Sequence, residues 1–171
     1  MMRSLNRFDL CLVLFLSLVL FPNLVSAQDV TILGGDELKK VLPTSFYFEG
    51  LSGPTQSRNA AAAKLGDKRF VIVAMIDTAG YSTDVRTKYE GFLITDSKIT
   101  LGGKDLSIGA YGFGVTKEGL LNLFDIGGNL VFSVDAPQNA ALSAPRPLTL
   151  VKGTDGLRMY RGRNYVVIAA K

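Results

Sequence analysis

The chain has 171 residues, a formal net charge of +4, no histidine and a single cysteine, Cys11, in an apolar N-terminal segment. The remainder therefore lacks serine–histidine and cysteine–histidine nucleophile systems, thiol redox chemistry and the common zinc and copper sites. The mild positive charge forms no basic block and does not indicate binding to nucleic acid or a membrane surface. We expect no cofactor and no metal.

The N-terminus predicts a secretory signal. Arginines precede an uncharged run at residues 10–21 that is apolar except for Ser17, and small residues lead up to a cleavage site after Ala27. The run is shorter than the about 20 residues that a spanning helix needs. We expect residues 1–27 to be a signal peptide and residues 28–171 to be one domain, periplasmic or extracellular, with no membrane span after cleavage. Without cysteine, that domain depends on packing rather than disulfides.

A short helix is predicted near the start of this domain, over residues 37–42. Asp36 is positioned to cap it, and Pro43 ends it. Its apolar side chains share one face, which must dock on the rest of the protein because two turns are too few to be stable alone.

Strands are predicted on both sides of a polar segment. Residues 45–49 alternate in polarity, and residues 70–76 are continuously apolar, as expected of a strand buried on both faces. Residues 50–59 contain two glycines and a proline, which indicates a loop. Alanine propensity favours a helix at residues 60–65, but that run is short and leads through a tight turn into the next strand, so we predict a strand there.

Residues 77–88 form a polar connection with two open interpretations. Ser82 is positioned to cap one helical turn, which places Val85 and Tyr89 four residues apart on one face. The alternation of Val85, Thr87 and Tyr89 fits an extended segment equally well.

Residues 92–134 are typical of short strands joined by glycine turns. The turns are expected at residues 102–103, 117–119 and 127–129. In the segment AYGFGVT, Gly112 and Gly114 share one face, which another backbone or a large side chain can therefore approach closely.

Three further strands are predicted near the C-terminus, at residues 148–152, 157–161 and 165–169. Around ten short strands at near-even spacing, with scarcely any helix, predict an all-β fold. We interpret it as an antiparallel β-sandwich with a short N-terminal helix, and a closed β-barrel is the alternative.

The first candidate binding residues are Gln56, Arg58 and Asn59, which cluster on the predicted loop. Loops often carry binding residues. The same side chains are also suited to anchoring a loop backbone.

The second candidates are Asp77 and Tyr81, in the segment DTAGY after the apolar strand. This resembles the Asp-Thr-Gly turn of aspartic proteases, in which two aspartates share a proton. Ala79 stands where that turn needs glycine, and the chain contains only one such turn. The alternative is a strand-ending Asp-Thr turn with no chemistry.

A basic cluster of Arg158, Arg161 and Arg163 is the third candidate. Arg161-Gly162-Arg163 has the composition of an anion site at a turn. A solvent-exposed hairpin tip is the alternative.

Residues 97–115, SKITLGGKDLSIGAYGFGV, resemble a hairpin with the pattern V-x-I-x-G-K-x-L-x-x-G-x-Y-x-F. That hairpin occurs in secreted bacterial β-sandwich families, several of which are domains of unknown function. The matching residues are Ile99, Leu101, Gly103, Lys104, Leu106, Gly109, Tyr111 and Phe113. The resemblance implies a β-sandwich fold and an exported protein, and it implies no activity.

These observations predict an exported, non-enzymatic binding or interaction module whose partner is a protein or a small ligand. One alternative is a small-ligand carrier with a cavity inside a closed barrel. Another is a hydrolase that uses Asp77 or a different carboxylate. Convergence of Gln56, Arg58, Asp77 and Tyr81 on one concave surface would unite the two polar segments in one site.

Overall fold

The computed structural model describes residues 30–66 and 69–171, so the predicted signal peptide and its cleavage site lie outside the described residues. The helices are α1 (Gly35–Val41) and α2 (Thr83–Lys88). The strands are β1 (Val30–Leu33), β2 (Ser45–Phe48), β3 (Leu51–Leu65), β4 (Phe70–Ile76), β5 (Gly91–Thr95), β6 (Ile99–Leu101), β7 (Lys104–Leu106), β8 (Gly109–Val115), β9 (Leu120–Phe124), β10 (Leu130–Asp135), β11 (Thr149–Gly153), β12 (Gly156–Arg161) and β13 (Asn164–Ala170).

The strands form two antiparallel sheets. The larger sheet has the order β1-β3-β4-β5-β8-β9-β10, with β2 also paired to β3, and the smaller has the order β11-β12-β13-β6-β7. This confirms the prediction of an all-β antiparallel sandwich. The closed barrel was wrong, because the outermost strands of both orders pair with one neighbour each within the described chain.

The space between the sheets holds the main hydrophobic core, to which both sheets contribute buried side chains. Strand β4 is apolar throughout because both of its faces are covered, as predicted. Val71 and Val73 face the core between the sheets, whereas Ile72 and Ala74 belong to a second cluster on the outer face of the larger sheet.

An aromatic layer covers that outer face. The ring of Phe46 stacks on Phe92 at 4.9 Å, and the ring of Phe48 stacks on Tyr89 at 4.5 Å. These rings come from β2, β5 and the residue after α2, so the second cluster attaches the hairpin and the helix to the sheet.

The glycine face of β8 is covered as the sequence predicted. A Cβ at Gly112 would overlap the ring of Tyr89, and a Cβ at Gly114 would overlap the carbonyl oxygen of Thr87 in α2. The Tyr89 hydroxyl donates to Glu49 Oε1 at 3.1 Å, and the carbonyl oxygen of Asp125, at 3.2 Å, is a second acceptor for it. Burial, with the adjacent Glu49 carboxylate, raises the pKa of Tyr89, so this hydroxyl keeps its proton.

The predicted loop at residues 50–59 was wrong, because most of it belongs to β3. Glu49 and Gly50 both have positive φ, 45° and 76°, and form a two-residue hairpin turn between β2 and β3. The polar residues are part of this strand. The register between β3 and β4 shifts between Gln56 and Ala60, so residues 57–59 form a bulge that does not pair with β4.

Three local predictions have clear outcomes. Residues 60–65 are a strand, as predicted. Ser82 caps α2 by accepting the Val85 N–H, so the helical interpretation of this segment was correct. The Asp36 cap was wrong: the N-cap of α1 is Gly34, and Asp36 lies in the first turn, paired with Lys39.

We expect Gly114→Ala to destabilise the domain by about 3 kcal/mol or more, because the new methyl group meets helix backbone rather than a movable side chain. Urea denaturation measures the loss. Gly80→Ala is the matched control, since a Cβ there has open space. Equal stability of the two variants would contradict this account of α2 packing.

Asp125 gives a pH-dependent prediction. Its carboxylate accepts hydrogen bonds from the side chain and backbone of Asn129 and from Gly127 N, which lowers its pKa below the ordinary 3.8. A lowered pKa stabilises the fold above pH 3.8, and this contribution is lost as the pH falls through the folded-state value. Asp125→Asn should therefore be less stable than wild type at pH 7, with the difference shrinking in acid. A pH-independent difference in urea midpoints would contradict this.

Candidate functional site

A cleft of about 380 Å³, here called the first cleft, lies at one end of the sandwich. Met75 and Ile76, at the end of β4, supply its apolar lining. Its polar lining comes from the segment after β4, from α2, from the residue before β5 and from the end of β12: Thr78, Thr83, Arg86, Thr87, Glu90 and Arg161. Both sheets and α2 therefore contribute to one concave surface.

An ion pair between the sheets forms part of this cleft. Arg161 Nε donates to Glu90 Oε2 at 3.1 Å, and the two side chains are 32% and 24% exposed. The same oxygen accepts a long hydrogen bond, 3.4 Å, from Val115 N on β8. Within the described chain, Arg161 Nη1 and Nη2 and Glu90 Oε1 have no hydrogen-bond partner, so the pair retains donors and an acceptor for a ligand.

Helix α2 supplies a second guanidinium group. Thr83, Arg86 and Thr87 are spaced i, i+3 and i+4, so they share one side of the helix, while Tyr89 is buried against β8. Thr87 Oγ1 donates to Thr83 O, which fixes that hydroxyl within the helix. Arg86 is exposed and pairs with none of the described residues. Two guanidinium groups face one carboxylate, so the cleft is positive.

A second cleft has a volume of about 570 Å³. Its polar lining residues are Lys117, Glu118, Asp135, Gln138 and Asn164. Asn164 pairs directly with Arg161 across the β12–β13 hairpin, which places the two clefts on neighbouring strands. A hydrogen bond from the Thr116 side chain lowers the pKa of Glu118, so this exposed carboxyl is ionised near neutral pH.

The bulge in β3 carries three predicted binding residues. Asn59 Nδ2 donates to Gln56 Oε1 at 2.8 Å, and Gln56 Nε2 donates to Ile76 O at 3.2 Å. These bonds anchor the unpaired part of the strand, as in the anchoring alternative. Arg58 is exposed and lines neither cleft.

Asp77 and Tyr81 also make backbone contacts. Asp77 Oδ1 accepts the Ala79 N–H at 3.2 Å, which closes an Asx turn after β4. The Tyr81 hydroxyl donates to Ser52 O at 2.8 Å, and its ring packs edge-on against Phe48 at 5.7 Å. The two polar segments therefore meet where β3 and β4 lie side by side, but their five candidates line neither cleft. Their role in binding stays a prediction.

The basic cluster separates into three environments. Arg158 forms two hydrogen bonds of 3.0 Å with Asp155, and Arg163 donates to the carbonyl groups of Ala140 and Leu142. Only Arg161 reaches the first cleft. One sequence signal pointed to it: Arg161 continues the inward alternation of Leu157 and Met159, so it is a charge on the core-facing side of a strand end.

Sequence reasoning did not single out Arg86 or Glu90. Each is an ordinary charged residue in a polar segment, and the hydrogen bond from Arg161 to Glu90 spans 71 positions. No local pattern links residues so far apart.

Comparison with known proteins identifies no relative: no family model, curated protein or solved structure matches the chain at a significant level. In residues 30–66 and 69–171, no helix combines the length and apolar character needed to cross a membrane. The same ranges contain no group of three or more acidic, histidine or cysteine side chains arranged to hold a metal ion.

The Glu90–Arg161 pair links the two sheets, so we expect Glu90→Gln to lower the free energy of unfolding by about 0.5–1 kcal/mol. Added salt should reduce the difference from wild type, because salt screens the pair. Glu37→Gln, at an exposed position on α1, is the control and should leave the urea midpoint unchanged. Equal effects from both substitutions would show that the pair contributes nothing.

Proposed function

We propose that the protein is an exported, non-enzymatic binding module that takes a small organic anion into the first cleft. The observation that carries this proposal is the pair of guanidinium groups, Arg86 and Arg161, with donors that no described residue uses. Guanidinium groups bind carboxylates and phosphates through paired, charge-assisted hydrogen bonds. The apolar run before Ala27 supports export.

The dimensions of the cleft support a small ligand. A volume of about 380 Å³ is within the range of small-molecule sites. Met75 and Ile76 supply apolar contact, and the threonine side chains add hydroxyl groups around the charged ones. Since Arg86 is exposed, we expect modest affinity, with a dissociation constant on the order of 0.1 mM.

The cleft is also held in place before a ligand arrives. Glu90 orients the guanidinium of Arg161 through its Nε, and the packing of Tyr89 on β8 positions α2. Preorganised groups lose less conformational entropy on binding, which raises the affinity for a ligand that fits them.

The other hypotheses gain less from the structure. The hydrolase hypothesis named Asp77 or a different carboxylate; Asp77 closes its own turn and does not line the first cleft, and Glu90, which does, is paired with Arg161. The carrier requires a closed barrel, whereas the described sheets are open and the space between them contains a packed core.

The test is titration of the mature protein with acetate, succinate and inorganic phosphate, followed by NMR. We expect shift changes at residues 78–90 and at Arg161. Arg86→Gln should weaken binding about tenfold, the value of one charge-assisted contact. Lys40→Gln removes the same charge at an exposed position on α1, outside both clefts, so it is the matched control. Absence of binding by all three anions, or equal weakening by both substitutions, would overturn the proposal.

A further inference from the structure

The geometry points to a more specific ligand. We propose that the two clefts form one groove that binds a short peptide of about three residues by both ends. Its terminal carboxylate meets Arg86 and Arg161, and its terminal ammonium meets Glu118 and Asp135. This inference rests on the proposed function, because it uses the same arginines for the anionic end.

The sheet registers place one lining residue of each cleft side by side. Arg161 lines the first cleft and Asn164 the second, and these residues are directly paired on β12 and β13. Gln138, also in the second cleft, forms an isolated bridge with Asn164. The three residues therefore lie on neighbouring segments that cross the same end of the sandwich.

The charges of the two clefts are opposite in sign. The first contains two arginines and one glutamate, and the second contains Glu118 and Asp135 with one lysine. Both acidic side chains of the second cleft are exposed, so both are accessible to a ligand. A ligand that complements such a groove is anionic at one end and cationic at the other, as an unmodified peptide is.

The spacing of the strands that cross the proposed groove gives the length of ligand that would fit it. Neighbouring strands lie about 4.8 Å apart, so the two steps from Arg161 through Asn164 to Gln138 span about 10 Å. An extended peptide covers about 3.3–3.6 Å per residue, so three residues match this distance.

The middle of the groove suits a peptide backbone. Asn164 Nδ2 donates to Ala136 O, which orients the side-chain amide and leaves its Oδ1 without a partner among the described residues. Gln138 is exposed and adds a second amide. Amide side chains both donate to and accept from peptide groups, whatever the ligand's own side chains are.

The experiment measures binding of trialanine, N-acetyl-trialanine and trialanine amide to the mature protein by calorimetry, with succinate as the simple anion. Blocking either end of the peptide should weaken binding to wild type about tenfold. In the double variant Glu118→Gln/Asp135→Asn, N-acetylation should have almost no further effect, whereas amidation should still weaken binding. In Arg86→Gln, amidation should cost less than in wild type.

The control is the double variant Asp36→Asn/Glu37→Gln, which makes the same charge change at exposed positions on α1. It should retain the full response to N-acetylation. If succinate binds through Arg86 and trialanine does not, or if trialanine and its N-acetyl form bind equally, the peptide proposal is overturned and the proposed function stands. If trialanine fails to bind and acetate, succinate and inorganic phosphate fail as well, both proposals fail.

Discussion

The contact of Tyr89 and α2 with the glycine face of β8 is the constraint on which the rest of the structure depends. Gly112 admits the tyrosine ring and Gly114 admits the helix backbone, and a side chain at either position would prevent this approach. The ring stacks on Phe48, and its hydroxyl donates to Glu49 at the β2–β3 turn. One buried residue thereby connects the outer hairpin, the helix and the larger sheet.

The same contact determines the chemistry at the end of the sandwich. Helix α2 directly precedes Tyr89, so its packing fixes where Arg86 stands. Glu90 directly follows Tyr89 and reaches Arg161 on the smaller sheet. Tyr89 therefore belongs to the outer aromatic layer, while the next residue bonds to the smaller sheet at the end of the sandwich. Residues 83–90 therefore contribute both to the packing of the outer layer and to the lining of the first cleft.

The two clefts lie where the apolar core ends and the loops begin. Their charged groups are partly or fully exposed, and Arg161 is held by its hydrogen bond to Glu90, which suits reversible binding. Without histidine or cysteine in residues 28–171, this chemistry consists of guanidinium, ammonium, carboxylate, amide and hydroxyl groups. Such groups recognise ligands by charge and hydrogen bonding, and the pairing of a positive cleft with a negative one makes the two ends of a ligand distinguishable.

The sequence by itself determined the all-β antiparallel class, the glycine turns, the doubly buried β4 and the close approach to Gly112 and Gly114, because periodicity and turn chemistry are local properties. It misassigned residues 50–59, since glycine and proline occur in an edge hairpin, and polar residues in a bulge, as readily as in a loop. Only the tertiary structure decided which charges form the site. Arg161 ends a strand of the smaller sheet and Glu90 directly precedes a strand of the larger one, and their contact exists because two sheets and a helix pack together, which no local pattern records.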